Sequence, residues 1–224
     1  MEPNLVYAAV RARIGAALAD AGPGADHLTV LSCPDWDVSD LTAHLAGTTN
    51  AIVSGDLPHG DPQPWVDAQV AARAGRTAID NWREWDAAGE AFEQVLPASP
   101  NGLGSLLYDA IIHEDDLNAA IGRPAPRDED AVRFGLERLF WRLDRDGRAK
   151  KVGTLVANCR QGTFRAATGD PTVALGVADP WELLRSLGSR RSERQLRELA
   201  FVGDLTPWLA VLPHELPIVD LYEN

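Results

Sequence analysis

Cysteine is scarce: Cys33 and Cys159 are the only two in 224 residues. Their wide separation does not suggest the disulfide framework that staples small secreted domains. Long apolar runs are missing as well. The stretch from Leu103 to Ile112 is broken by Ser105 and Asp109, and nothing reaches the roughly 20 residues a membrane-spanning helix needs. The first residues include the acidic Glu2 and no extended apolar core, so no secretory leader is expected and the cytoplasm is the expected compartment. Basic charge is short too: 21 Lys and Arg against 33 Asp and Glu leave a net charge of -12. That balance argues against nucleic acid, whose phosphates would be repelled, and equally against an anionic membrane surface. Internal repeats and low-complexity segments are absent. A single methionine and few lysines beside abundant alanine and arginine hint at a GC-rich bacterial genome.

Familiar catalytic motifs are also wanting. No Ser-His-Asp pattern is visible, and the Gly102 and Gly104 pair lacks the preceding strand that a phosphate loop requires. Cys33 precedes a proline and has no basic neighbour in sequence to lower its thiol pKa, so a nucleophilic role is not expected. His27, His59 and His214 fall in loop-like contexts and are expected to be exposed.

What is present is helical periodicity over the first half. A helix is expected from about Asn4 to Ala21, with Val6, Ala9, Val10, Ile14, Leu18 and Ala21 on one face and Gly22-Pro23-Gly24 ending it. Asp37 suits the N-cap of a second helix running to about Val53, with Asp40 in its first turn. Its inner line is Leu41, His44 or Leu45, Thr48 and Ile52. A proline-rich loop from Leu57 to Pro64 precedes one long helical segment, roughly Trp65 to Leu96. Pro97 to Gly102 closes it, and the helix from Ser105 to Ile121 follows. These four helices make an antiparallel bundle the economical arrangement.

Gly122 to Arg127 is short, stiff and polar, and marks a boundary between domains over residues 1–124 and 125–224. Beyond it a helix over Glu129 to Asp144 is followed by three short β-branched stretches, Thr154–Asn158, Thr163–Ala167 and Thr172–Val177. Turns at Gln161-Gly162 and Gly169-Asp170-Pro171 suggest a small antiparallel sheet. Short helices at Pro180–Leu187, Glu193–Leu199 and Asp204–Leu212 complete an α+β module, so the fold class is α+β.

The Ser105–Ile121 helix carries an anomaly. Leu106, Ala110, His113, Leu117 and Ile121 share one line, so an imidazole occupies a position expected to face a core. Asp109 lies one turn before His113, and residues four apart on a helix are neighbours. With His44 this makes two imidazoles and one carboxylate on inward faces of a bundle, a set that suits zinc or another divalent metal and leaves a position for water or substrate. The alternative is a hydrogen-bonded core pair with a separate, satisfied histidine. The run Glu114, Asp115 and Asp116 reads as a solvated face, although Asp116, three residues past His113, can reach the polar centre. Arg190-Arg191 reads as an exposed loop pair or an anion site.

The segment Cys33-Pro-Asp-Trp-Asp-Val-Ser-Asp-Leu-Thr-Ala-His-Leu-Ala-Gly47 resembles the second-helix signature of the mycothiol-dependent maleylpyruvate isomerase family, among the DinB-like metal-binding four-helix bundles. Asp109 to Pro124 is similar to that family's fourth helix, and Leu184 to Leu196 with Gly203-Asp204 to its C-terminal signature. The resemblance implies a DinB-like bundle holding a divalent metal, typically zinc, on His44, Asp109 and His113. It also implies mycothiol as cofactor, the metal turning its thiol into a thiolate for cis–trans isomerisation or S-transfer on a small electrophile. The isomerase branch carries Glu where this chain has Asp109. Trp36 and Arg190 are implied to hold substrate or thiol, with Ser189 where the family's loop usually has Gly.

The partners implied are a small-molecule thiol and a small electrophilic substrate, with no nucleic acid and no membrane, in a monomer or homodimer. Two competing readings stand beside this one. One is a metal-dependent hydrolase using metal-activated water. The other is a non-enzymatic module, because the C-terminal half also resembles a sterol-carrier-like fold able to hold a small ligand.

Overall fold

A computed structural model describes residues 2–98 and 100–222, with residues 100–102 described by their backbone alone. The chain divides into a helical unit extending to Pro126 and an α+β unit over Arg127–Tyr222.

The helical unit is built on α1 (Pro3–Ala21), α2 (Val38–Val53), α3 (Gln63–Ala71), α4 (Ala78–Val95) and α5 (Pro100–Ala120). α1 and α2 each pack against both α4 and α5, which sets them at opposite corners of a four-helix bundle, while α3 lies against α2. The pattern over Trp65 to Leu96 suggests one helix, and here the structure differs. Gly75 adopts φ +79, a left-handed conformation that glycine takes without steric cost. The chain restarts at Thr77, whose Oγ1 accepts a hydrogen bond from the Asp80 N–H at 3.2 Å. The Pro97–Gly102 break includes Ser99, which lies outside the described residues. α5 begins at Pro100 rather than near Ser105, because proline's missing N–H and fixed φ suit the first helical position.

Tyr7, Trp85 and Phe92 form the aromatic centre of the bundle, with Tyr7 ring centroids 4.7 Å from Phe92 and 5.8 Å from Trp85. The Tyr7 hydroxyl is not stranded there. It accepts from Trp85 Nε1 at 2.6 Å and pairs with Thr49 Oγ1 at 2.8 Å. Burial outweighs these bonds and pushes its pKa up to about 12. The inner face of α1 also carries Arg11, buried in ion pairs with Asp86 and Glu93 of α4. Ala21, expected on that face, is exposed.

In the α+β unit, α6 (Glu129–Lys150) packs against β2 (Gly162–Ala166) and α7 (Pro180–Leu187). β1 (Leu155–Cys159), β2, β3 (Val173–Gly176) and β4 (Phe201–Gly203) form one sheet in the order β2-β1-β3-β4. β1 pairs antiparallel with β2, Leu155 opposite Ala166, and β3 antiparallel with β4, Val173 opposite Gly203. The sheet is not wholly antiparallel as expected, since β1 and β3 run parallel with Leu155 opposite Val173. The connection after β2 crosses the start of β1, and Thr154 and Thr172 tie it there by reciprocal hydrogen bonds of 2.9–3.0 Å. At Gly203 a Cβ atom would lie 2.0 Å from the Thr172 carbonyl oxygen, so the β3–β4 edge requires glycine. α8 (Glu193–Arg197) and a single turn α9 (Thr206–Leu209) complete the unit, α9 being shorter than the Asp204–Leu212 helix expected.

Candidate metal centre

α2 places His44. Its start is fixed by a capping box, in which Asp37 Oδ1 accepts from the Asp40 N–H at 2.9 Å and Asp40 accepts from the Asp37 N–H at 3.3 Å. Burial raises the Asp37 carboxyl, but hydrogen bonds from Ser39, the Asp40 N–H and His27 outweigh it and hold the pKa below its ordinary value. The connector ahead of α2 is folded back on itself. Thr29 bridges Asp37, Val30 N–H donates to the Trp36 carbonyl, and the Cys33 and Trp36 N–H groups close successive turns at 2.9 and 2.8 Å. Cys33 and Trp36 are thereby held beside the start of α2.

α5 supplies the carboxylate and second imidazole. Asp109 Oδ2 lies 2.6 Å from His44 Nε2, and Asp109 Oδ1 lies 3.5 Å from His113 Nε2. The two imidazoles are nearly fully buried, whereas the Asp109 side chain is one-third exposed. The rings of His44 and His113 meet edge to face at 5.3 Å, and the Trp36 ring lies 5.0 Å from the first and 6.0 Å from the second. The structure thus brings His44, Asp109, His113 and Trp36 together from the connector and two helices.

Behind His113 stands Asp116, whose Oδ2 is 3.0 Å from His113 Nδ1. The acidic run is not a solvated face: Glu114, Asp115 and Asp116 are all buried. Glu114 receives both guanidinium bonds of Arg13 from α1, at 2.6 and 2.8 Å, and Asp116 is turned to the imidazole. Cys33 is also closer to basic chemistry than its sequence neighbours indicate. Its Sγ, a His113 nitrogen and an Asp116 oxygen lie within 4.8 Å of one another.

These residues fit a divalent ion. Around a tetrahedral ion with bonds of ~2.0–2.1 Å, ligand atoms are separated by roughly 3.3 Å. One ligand atom from each of His44, Asp109 and His113 lies within 4.8 Å of the other two, so side-chain adjustment alone brings them toward that spacing. A carboxylate on the far nitrogen of a metal-ligating histidine fixes its tautomer and orientation, the place Asp116 occupies. Nδ1 of His44 is buried with no hydrogen-bond partner among the described residues.

The remaining site expectations fall in the α+β unit. Arg190 and Arg191 are buried, not an exposed pair. Arg191 makes two 2.8 Å bonds to Glu182 of α7, and Arg190 donates its N–H to the Arg185 carbonyl at 2.9 Å. Ser189 before them adopts φ +63, a glycine-like conformation. Its hydroxyl holds the strained turn by bonding the backbone of His214 at 3.1 and 3.2 Å. This unit also has a cleft of about 930 Å³. Arg127, stacked 4.1 Å over Trp181, lines it with Glu129, Arg160 and Asp179 beside the apolar Val132 and Val177. His27, His59 and His214 are exposed, and no described helix is long and apolar enough to cross a membrane.

Fold and site together define a two-unit chain: a helical bundle with an inward His-Asp-His set, followed by an α+β unit. Residues 7–110 match the family described as the mycothiol maleylpyruvate isomerase N-terminal domain. The likeness to that domain family lies within the bundle and covers less than half of the chain. The match includes His44 and Asp109 and stops short of His113. Two solved structures share the fold. The crystal structure of the mycothiol-dependent maleylpyruvate isomerase has a TM-score of 0.60 at 14% identity, covering 86% of this chain and 90% of that one. A histidine-to-alanine mutant of that isomerase has a TM-score of 0.57 at 12% identity, covering 84% and 88%. No curated protein matches the chain by sequence.

Proposed function

We propose that His44, Asp109 and His113 hold a divalent metal, zinc by the chemistry of the donor set, and that the protein is a mycothiol-dependent enzyme. Its reaction on this reading is cis–trans isomerisation of, or S-transfer to, a small electrophilic substrate. The observation that carries the proposal is the convergence of three potential ligand atoms from two helices, with Asp116 backing one of them. When bound, such an ion would favour the thiolate of a coordinated thiol and so supply a nucleophile at neutral pH.

The chain's own residues then have definite tasks. Asp116 accepts the Nδ1 proton of His113, leaving the Nε2 lone pair turned toward Asp109. The Trp36 ring covers both imidazoles and keeps water from them. Asp109 is the exposed member of the set, so thiol and substrate are to be admitted on its side. Its side chain is one methylene shorter than the glutamate of the isomerase branch, which bears on substrate choice more than on whether a metal binds.

The test is direct. Protein purified without chelators is expected to carry a divalent metal in stoichiometric amount, and His113→Ala to lose it. After cobalt substitution, adding mycothiol is expected to change the ligand-field spectrum, and His44→Ala with Asp109→Ala to abolish that response. Absence of stoichiometric metal from the wild type would overturn the proposal. A cobalt spectrum indifferent to mycothiol would replace thiol chemistry with metal-dependent hydrolysis.

A further inference from the structure

The connector before α2 contributes a group that the His44, Asp109 and His113 set does not use. Cys33 Sγ, a nitrogen of His113 and a carboxylate oxygen of Asp116 lie within 4.8 Å of one another. His113 and Asp116 are buried and Cys33 is half-buried, so the three form a pocket of donors beneath the connector rather than a chance surface cluster. Backbone bonds close the turns at Cys33 and Trp36 and hold the main chain that carries the sulfur.

We propose that Cys33, His113 and Asp116 form a second, thiolate-bearing cation position that shares His113 with the first. One sulfur, one imidazole nitrogen and one carboxylate oxygen are the donors of a strongly thiophilic d10 ion such as cadmium. The other set has no sulfur, so the two differ in softness although they lie side by side. A neutral imidazole has one lone pair to give. His113 therefore serves one position at a time, and an ion held by Cys33 is withdrawn from His44 and Asp109. A thiophilic ion favours the Cys33 position and a harder one the Asp109 position. This proposal does not require the first set to be catalytic, because of its three donors only His113 belongs to that set.

Cadmium alone is the probe. In a His44→Ala, Asp109→Ala double variant the first set is dismantled, and one cadmium per chain is expected to bind with the ultraviolet charge-transfer absorption of a cadmium–thiolate bond. Adding Cys33→Ser is expected to remove both binding and absorption. If the double variant takes up no cadmium, or the absorption survives Cys33→Ser, the proposal is wrong. Should the variants fail to fold, the wild-type chain gives a second readout. Cadmium is expected to slow maleimide labelling of Cys33 by at least tenfold while leaving Cys159 unchanged, and unslowed labelling would overturn the proposal. The mycothiol reading is judged separately, because Cys33→Ser leaves His44, Asp109 and His113 intact and should still show the cobalt response to thiol.

Discussion

Removing one oxygen atom from the bundle centre, in Tyr7→Phe, has an effect whose size and pH dependence can both be worked out. Trp85 is completely buried and donates to the Tyr7 hydroxyl at 2.6 Å. Without that acceptor its indole N–H stays buried and unsatisfied, a loss of about 1–3 kcal/mol. The tyrosine itself titrates abnormally, moved by burial from an ordinary 10 to about 12 in the folded chain. A raised pKa means that the stabilisation is complete below the unfolded value and is lost as pH climbs toward the folded one. Between pH 10 and 12 the loss approaches ~2.7 kcal/mol, at 1.36 kcal/mol for each of two pKa units, and about half of it has accrued by pH 11. Urea denaturation of both proteins at matched pH isolates the effect, because the other titrating groups are common to the pair. The wild type should lead by about 1–3 kcal/mol at pH 8, and the lead should shrink by ~1.4 kcal/mol at pH 11. A lead that stays constant across this range would refute the buried, neutral phenol.

Two further outcomes follow from the caps and the metal centre. Asp37→Ala should destabilise the chain by about 0.5–2 kcal/mol through loss of the α2 N-cap. Because the Asp37 pKa is lowered, the charged carboxylate's share of that stability is present above its ordinary value of 3.8 and fades as pH falls through the folded value. The gap between wild type and Asp37→Asn in acid titrations should therefore close at low pH; a gap that widens there contradicts the assignment. In a Cys33→Ser background, where only the His44, Asp109 and His113 set can hold an ion, Asp116→Asn should weaken zinc binding roughly 10–100-fold. Competition against a chromophoric chelator measures this, and unchanged affinity would show that Asp116 does not orient His113.

The helical period of the first half is legible because one face of each helix must be buried and the other need not be. Val6, Val10, Ile14 and Leu18 are all in the core. The same rule picks out His44 and His113, since an imidazole on an apolar stripe is conspicuous. Sequence reasoning stops where partners come from far along the chain. Arg11 is a charged residue beside the Val10 of the α1 stripe, and Asp86 and Glu93, more than 70 residues away, pair with it inside the bundle. The parallel β1–β3 pair is hidden for a related reason: turn residues at Gly169 to Pro171 show that the chain reverses, not that it crosses a strand end before pairing.

The acidic run after His113 shows most clearly what a linear reading leaves out. Three consecutive carboxylates on a helix normally mean solvent, because burying a charge without a partner costs several kcal/mol. Here Glu114 and Asp116 point to different sides of α5 and each meets a cation or a proton donor: Arg13 from α1, and the Nδ1–H of His113. The Arg13 partnership needs the bundle to be assembled and leaves no trace in spacing. The Asp116 partnership is a step of three residues and was open to inspection. Its meaning was not, because an i, i+3 Asp and His pair serves equally as a surface ion pair. Burial distinguishes the two. A carboxylate sealed behind an imidazole whose other nitrogen faces a half-open aspartate is costly to keep for stability alone, and that cost is the physical reason to look for function on α5.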